Sequence, residues 1–190
     1  MDIRVDAWSD HLPLLTSRFA LAAIGMADIA AIAELGNDFE IAKNTSRVPF
    51  PLTTDSVAGW LAGHGPDERA LRISRRDPGE DVLGVVGLSF PQEGCGELGY
   101  WIGRAHWGDG IATEAAHTVV DFGFETLGLD AIEAACRVTN PGSRRVLEKC
   151  GFQPCGHGLM HSIAVGGSVP IERYGLDRKT WYSLKTWARA

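Results

Sequence analysis

The sequence predicts a layered α+β (α/β) domain, a mixed sheet of about seven strands with helices on both faces. Three observations carry this. Short segments alternate apolar and polar residues, segments of helical period fall between them, and glycine or proline punctuates most junctions. The order read off is strand, helices, three strands, helix, strand, helix, two strands. A length of 190 residues suits one domain around one core. Residues 1–190 are therefore read as a single domain, with 1–15 as a loose N-terminal arm anchored by Trp8.

Composition narrows the function classes. Apolar residues make up 45% of the chain, as in globular proteins. The net charge is −6 and no basic run occurs, which argues against nucleic acid as a partner. No apolar run is long enough to span a membrane, and the N-terminus lacks the apolar stretch of a signal peptide. The cytoplasm is the default location. There the four cysteines, 95, 136, 150 and 155, are expected as reduced thiols. Cys150, Cys155, His157 and His161 are residue types that bind zinc, but their spacing fits no common zinc motif, so no metal is expected.

Arg18 to Ile24 reads as the first strand. Asp28 to Leu35 reads as a helix stopped by Gly36, and Asn37 to Lys43 as a short second one. Val48-Pro49-Phe50-Pro51 must be extended, because proline bars a helix there. Thr54 is read as the cap of a helix presenting Val57, Trp60 and Leu61. These helices and their proline-rich loop would form either a lid over a site or plain cover for the sheet. Ala70 to Arg75 and Asp81 to Phe90 read as antiparallel strands joined by a turn at Arg76-Asp77-Pro78-Gly79. Ala131 to Val138 is a strand with Ile132, Ala134, Cys136 and Val138 on one face. Asn140 then caps a helix with Pro141 at its first position, ending at Gly151. Strands near 152–163 and 168–176 flank Gly166-Gly167, and Asp177 to Trp187 reads as a terminal helix.

The informative stretch runs from Glu97 to Thr113. Leu98, Tyr100 and Ile102 alternate with Glu97, Gly99, Trp101 and Gly103 as in a strand. The turn Trp107-Gly108-Asp109-Gly110-Ile111-Ala112-Thr113 follows and opens a helix with Ile111, Ala115, Val119 and Phe122 on one face. A strand entering a helix through small residues gathers free backbone N–H groups and the positive end of the helix dipole around one point. That combination suits an anion, phosphate above all. A plain glycine-punctuated connection is the alternative. Two common phosphate loops are excluded. Gly-x-x-x-x-Gly-Lys-Ser/Thr is absent, and Thr113 stands where a dinucleotide fingerprint needs its third glycine.

Three segments resemble the GNAT acetyltransferase superfamily, in particular its branch of RimJ/RimL-type ribosomal-protein N-acetyltransferases. They are Glu97-Leu98-Gly99-Tyr100-Trp101-Ile102-Gly103, Trp107 to Ala115, and Asn140 to Phe152. The resemblance spans roughly residues 16–180, and the three together, in this order and spacing, make it specific. It implies a GNAT-like, mostly antiparallel sheet and acetyl-CoA as the acetyl donor, with no metal. The turn 107–113 would hold the CoA pyrophosphate: Trp107, Gly108, Asp109, Gly110, Ile111, Ala112 and Thr113. The strand edge Trp101, Ile102 and Gly103 would pair with the pantetheine arm, and Asn140 would contact the same region besides capping its helix. Trp107 replaces the Gln or Arg usual in the family, so the usual polar role cannot be given to that side chain.

Acetyl transfer to an amine needs a base, a stabiliser for the oxyanion and a proton for the leaving thiolate. Glu97 is the expected base, with a surface carboxylate at a strand start as its plain reading; Glu133 on the neighbouring strand is the second candidate. Leu147 stands where many relatives place a thiol-protonating Tyr. The branch offers a hydroxyl instead, matching Ser143, whose plain reading is a serine bonded to its own helix turn. His106 and His117 receive no role. The expected acceptor is a primary amine, a protein N-terminus by branch. A small amine (amino acid, polyamine or antibiotic) and a non-catalytic CoA-binding sensor are the alternatives. The assembly is expected to be a monomer or homodimer.

Overall fold

Strands form where apolar residues alternate and helices where they recur on one face. The computed structural model describes Trp8 and residues 10–63, 68–76 and 81–187. In chain order the elements are β1 (Leu14–Leu15), β2 (Phe19–Ala23), α1 (Ile29–Gly36), α2 (Phe39–Ala42), α3 (Thr54–Ala62), β3 (Glu68–Arg75), β4 (Val82–Gln92) and β5 (Cys95–Ile102). They continue with α4 (Ile111–Glu125), β6 (Ala131–Arg137), α5 (Pro141–Lys149), β7 (Gln153–Ser162), β8 (Gly167–Asp177) and α6 (Arg178–Trp187). One sheet of eight strands runs β1-β2-β3-β4-β5-β6-β8-β7. Among the described residues only the β5–β6 pairing is parallel, and α4 makes the crossover that a parallel pair requires.

The sheet has one strand more than expected. β1 is a two-residue edge strand inside the supposed N-terminal arm, paired through Leu14 with Leu21 and Leu15 with Ala20. Two residues are too few to show an alternation. The α3 cap is Thr53 rather than Thr54: its hydroxyl accepts the Ser56 N–H at 3.1 Å. Both threonines could cap, and the extended conformation falls at the first. Val138 lies just past β6 and is exposed rather than facing the core. The expected turn at 76–79 falls, from residue 77 on, outside the described residues.

Two apolar layers flank the sheet. Ile111, Ala115, Val119 and Phe122 of α4 pack with Leu71, Val86, Leu98, Ile102 and Ile132 on one face. Leu147 and Phe152 extend that layer under α5. On the other face Ile29, Ile32 and Ala33 of α1 and Val57 of α3 pack on Val82 and Val85. Trp8 joins the first layer at 1% exposure, its ring 4.7 Å from that of Phe122.

The entry to β2 is tied to the first turn of α4. Glu114 accepts from Ser17 Oγ at 2.8 Å, from the Arg18 backbone N–H at 3.0 Å and from Arg18 Nε at 2.7 Å. Burial pushes the Glu114 carboxyl up, but hydrogen bonds from Thr16, Ser17 and Arg18 outweigh it and lower its pKa to about 2.

Two outcomes test this packing. Trp8→Ala should lower unfolding free energy in urea by about 3–5 kcal/mol, the cost of emptying a buried indole site; a loss below about 1 kcal/mol would remove Trp8 from the core. Glu114 stabilises the fold fully above its ordinary pKa of 4.5, and that share is lost as pH falls toward about 2. Glu114→Gln should therefore melt lower than the parent at neutral pH, with the gap closing between pH 4.5 and 2. A gap independent of pH in thermal melts would show that the carboxylate charge is not what holds β2.

Candidate active site

The site begins where two strands part. β5 and β6 are paired from Cys95↔Ala131 to Leu98↔Ala134 and no further. Beyond that, β5 stays on β4 as far as Gly84↔Ile102, and β6 stays on β8 as far as Arg137↔Ile171. A wedge therefore opens beside residues 99–102. Hydrogen bonding alternates along an antiparallel pair. The Gly103 N–H goes to Leu83 O at 2.9 Å, so Gly103 and Trp101 turn their main-chain groups to β4. Tyr100 and Ile102 carry the groups that face the wedge. Of the expected edge Trp101, Ile102 and Gly103, Ile102 faces the wedge with its main chain, together with Tyr100, while Trp101 and Gly103 face β4.

The turn after β5 supplies one wall. Gly108 and Gly110 have φ of +92° and +75°, the left-handed region that side chains other than glycine's rarely enter. Gly110 is the N-cap of α4 and offers no side chain, so the first N–H groups of α4 have no cap of their own. Trp107 donates its indole N–H to Ile102 O at 2.7 Å, stapling the turn to the end of β5. This is the polar work of a residue whose sequence position gave it none. Trp107, Gly108 and Ala112 border the cleft; Asp109, Gly110, Ile111 and Thr113 do not, and Ile111 is a core side chain.

The opposite wall is the start of α5. Asn140 Oδ1 accepts the Ser143 N–H at 3.1 Å, with Pro141 in the first turn. Ser143 Oγ lies 2.8 Å from the Tyr100 hydroxyl, which also donates to Ser143 O at 3.2 Å. Burial raises the Tyr100 pKa well above that of a free phenol, so the group keeps its proton at any working pH. Asn140, Ser143 and Tyr100 all line the cleft. Tyr100 was missed in the sequence because its alternation with Leu98 and Ile102 reads as core. Leu147 is fully buried and offers no donor.

The wedge widens into a cleft of about 810 Å³. Its far side is built by α1, α3 and the loop between α2 and α3, including Trp60 and residues 43–49. The helices and proline-rich loop are thus a wall of the site. The hairpin of β7 and β8 holds that loop through Ile163 N–H to Ser46 O at 3.1 Å, and Arg137 Nη1 reaches Lys43 O at 3.0 Å. Glu97 is exposed, lies opposite Ser89 in the ladder and lines the cleft. Glu133, its register partner on β6, is also exposed but is not among the lining residues. The other lining carboxylates are paired: Glu40 with Lys43 at 2.7 Å and Glu68 with Arg47 at 2.6 Å. His106 and His117 do not line the cleft; His117 Nε2 sits 3.0 Å from Lys149 O.

Comparison with known proteins gives this arrangement its family. The family model described as Acetyltransferase (GNAT) domain matches residues 18–153. An uncharacterized N-acetyltransferase of Bacillus licheniformis is 27% identical over 175 residues, 88% of this chain and 97% of that protein. The ribosomal-protein-serine acetyltransferase of Escherichia coli is 29% identical over 75 residues, 38% of this chain and 42% of that protein. Among solved structures, the spermidine N-acetyltransferase of Vibrio cholerae in complex with CoA and spermine superimposes with a TM-score of 0.75 at 22% identity, covering 87% of this chain and 99% of that one. Mycobacterium smegmatis RimJ in complex with CoA-disulfide gives 0.73 at 19% identity, covering 90% of each chain. Acetyl-CoA is the donor that GNAT acetyltransferases use, and with the family model spanning β2 to α5, the turn included, this chain belongs to the GNAT acetyltransferase family.

Proposed function

We propose that this protein transfers the acetyl group of acetyl-CoA directly to the N-terminal amine of a protein or peptide. The observation that carries the choice of acceptor is the charge balance of the cleft. Among the described residues Glu97 is the one lining carboxylate without an ion pair, since Lys43 and Arg47 occupy Glu40 and Glu68. A polyamine carries several ammonium groups and would need several unpaired carboxylates. One α-amine needs one.

The residues fit the donor. The N–H groups of 108–113 suit phosphates, the wedge-facing groups of Tyr100 and the N–H of Ile102 suit an amide-bearing arm, and Asn140 borders the same gap. Trp101 lines the acceptor side of the strand instead. In the reaction Glu97 takes a proton from the ammonium, directly or through water. The freed nitrogen attacks the thioester carbonyl carbon, the C–N bond forms, and the C–S bond breaks. The Ser143 hydroxyl, which Tyr100 holds in place, hydrogen-bonds the departing thiolate, and the proton that the attacking nitrogen loses on becoming an amide ends on that sulfur, leaving free CoA thiol.

The reading is tested by thiol release with acetyl-CoA and a panel of N-terminal peptides, amino acids and polyamines. Peptides should give the highest kcat/KM. Faster turnover of spermidine would overturn the acceptor class, and CoA binding without turnover on any amine would make the chain a sensor. Glu97→Gln should lower kcat/KM by roughly 10²-fold and remove the acidic limb of the pH–rate profile; an unchanged profile would move the base elsewhere, Glu133 first. Ser143→Ala and Tyr100→Phe should each lower kcat by roughly 10²-fold, and the double variant little further, because the two hydroxyls act as one unit. The loss should shrink with acetyl thioesters of more acidic thiols. Additive losses that do not depend on the donor would leave the pair a structural link between β5 and α5.

A further inference from the structure

Arg18 stands outside the cleft, yet it touches the turn proposed to hold the donor phosphates. Its Nη1 donates to Asp109 O at 3.0 Å, and its Nη2 lies 3.4 Å from the point where a Cβ on Gly110 would sit. The guanidinium is held from two further sides, and its backbone is fixed as well. Nε is bonded to Glu114, the Phe19 ring lies 4.7 Å below, and Arg76 fixes the backbone through its N–H to Arg18 O at 3.1 Å and its Nη1 to Thr16 O at 3.0 Å. Arg18 is therefore preorganised, and its charge is matched by Glu114.

The contact matters because of peptide geometry. The Asp109 carbonyl and the Gly110 N–H belong to one planar trans unit and point in opposite directions. Drawing the carbonyl toward Arg18 turns the Gly110 N–H away from it. Gly108 and Ala112, on either side, border the cleft, and Arg18 does not. A turn with two left-handed glycines and no side-chain cap has many conformers open to it. Among the described residues the Arg18 bond is the side-chain contact that fixes this peptide.

We infer that Arg18, anchored by Glu114, is a positioning residue that presets the Asp109–Gly110 peptide for the phosphates of acetyl-CoA. The inference rests on the proposed donor site. It separates from a plain structural role because it acts on the phosphate end of the donor alone.

The experiment compares acetyl-CoA with acetyl-pantetheine, which has the same thioester and no pyrophosphate. Arg18→Ala should raise KM for acetyl-CoA, and Kd for CoA by calorimetry, on the order of tenfold, the loss of one charge-assisted hydrogen bond. The kcat at saturating acetyl-CoA, the acceptor KM and kcat/KM for acetyl-pantetheine should stay as in the parent. Arg18→Lys, which keeps the charge but not the fork, should recover part of the affinity. Equal losses with both donors, or full CoA affinity in a folded Arg18→Ala, would overturn the inference. A parent enzyme that uses both donors equally well would instead overturn the phosphate-site reading on which it rests.

Discussion

The parting of β5 from β6 is the constraint on which the site depends. Parallel strands stay together only while their ladder is maintained, and here it stops at Leu98 and Ala134. Each strand then follows its other neighbour. Among the described residues the wedge leaves the main chain of Tyr100 and Ile102 without a strand partner on that side, with Ile102 O taken by the Trp107 indole, in an interior position where unpaired groups are otherwise rare. An amide-bearing ligand laid there would act as a missing strand. The same divergence sets the turn 107–110 and the start of α5 on opposite lips of the gap, so that a helix N-terminus stands on each side.

The lips are also tied to β5 itself. Trp107 bonds back to Ile102 O, and Tyr100 bonds across to Ser143. Of two side chains seven positions apart in the sequence, one thus fixes the turn to β5 and the other fixes α5 across the wedge. The Tyr100 hydroxyl is partly buried, so its hydrogen bonds are less exposed to competition from water than those of a surface phenol.

The part of the site made by local sequence was legible. β5, the glycine turn and α4 follow one another without a gap, and Asn140-Pro141 declares its helix by cap chemistry. What was not legible is long-range. Arg18 and Glu114 are 96 residues apart, and nothing in either neighbourhood names the other. The point at which β5 leaves β6 is a property of two ladders, not of either strand's alternation. Tyr100 shows the limit most clearly. Period-2 patterning assigned it correctly to the face of Leu98 and Ile102, but could not say that the face ends in a cleft at that residue. The Thr53 cap and two-residue β1 were lost for the smaller reason that local signals of that length are degenerate.

The proposed donor and acceptor halves differ in what builds them. The donor half is main chain: wedge-facing groups of β5, N–H groups of a turn, and a helix start. Its demands on sequence are glycines at left-handed positions and a cap, which leave a motif. The acceptor half is made of side chains on α1, α3 and the loop between α2 and α3, held by Ile163 N–H to Ser46 O and by the Glu40–Lys43 and Arg47–Glu68 pairs. Solvent-accessible pairs of this kind contribute little to stability. Each neutralises a carboxylate that lines the cleft. Among the described residues this leaves Glu97 as the one lining carboxylate without an ion pair, and the proposal of a single amine as acceptor rests on which charges are neutralised rather than on which are present.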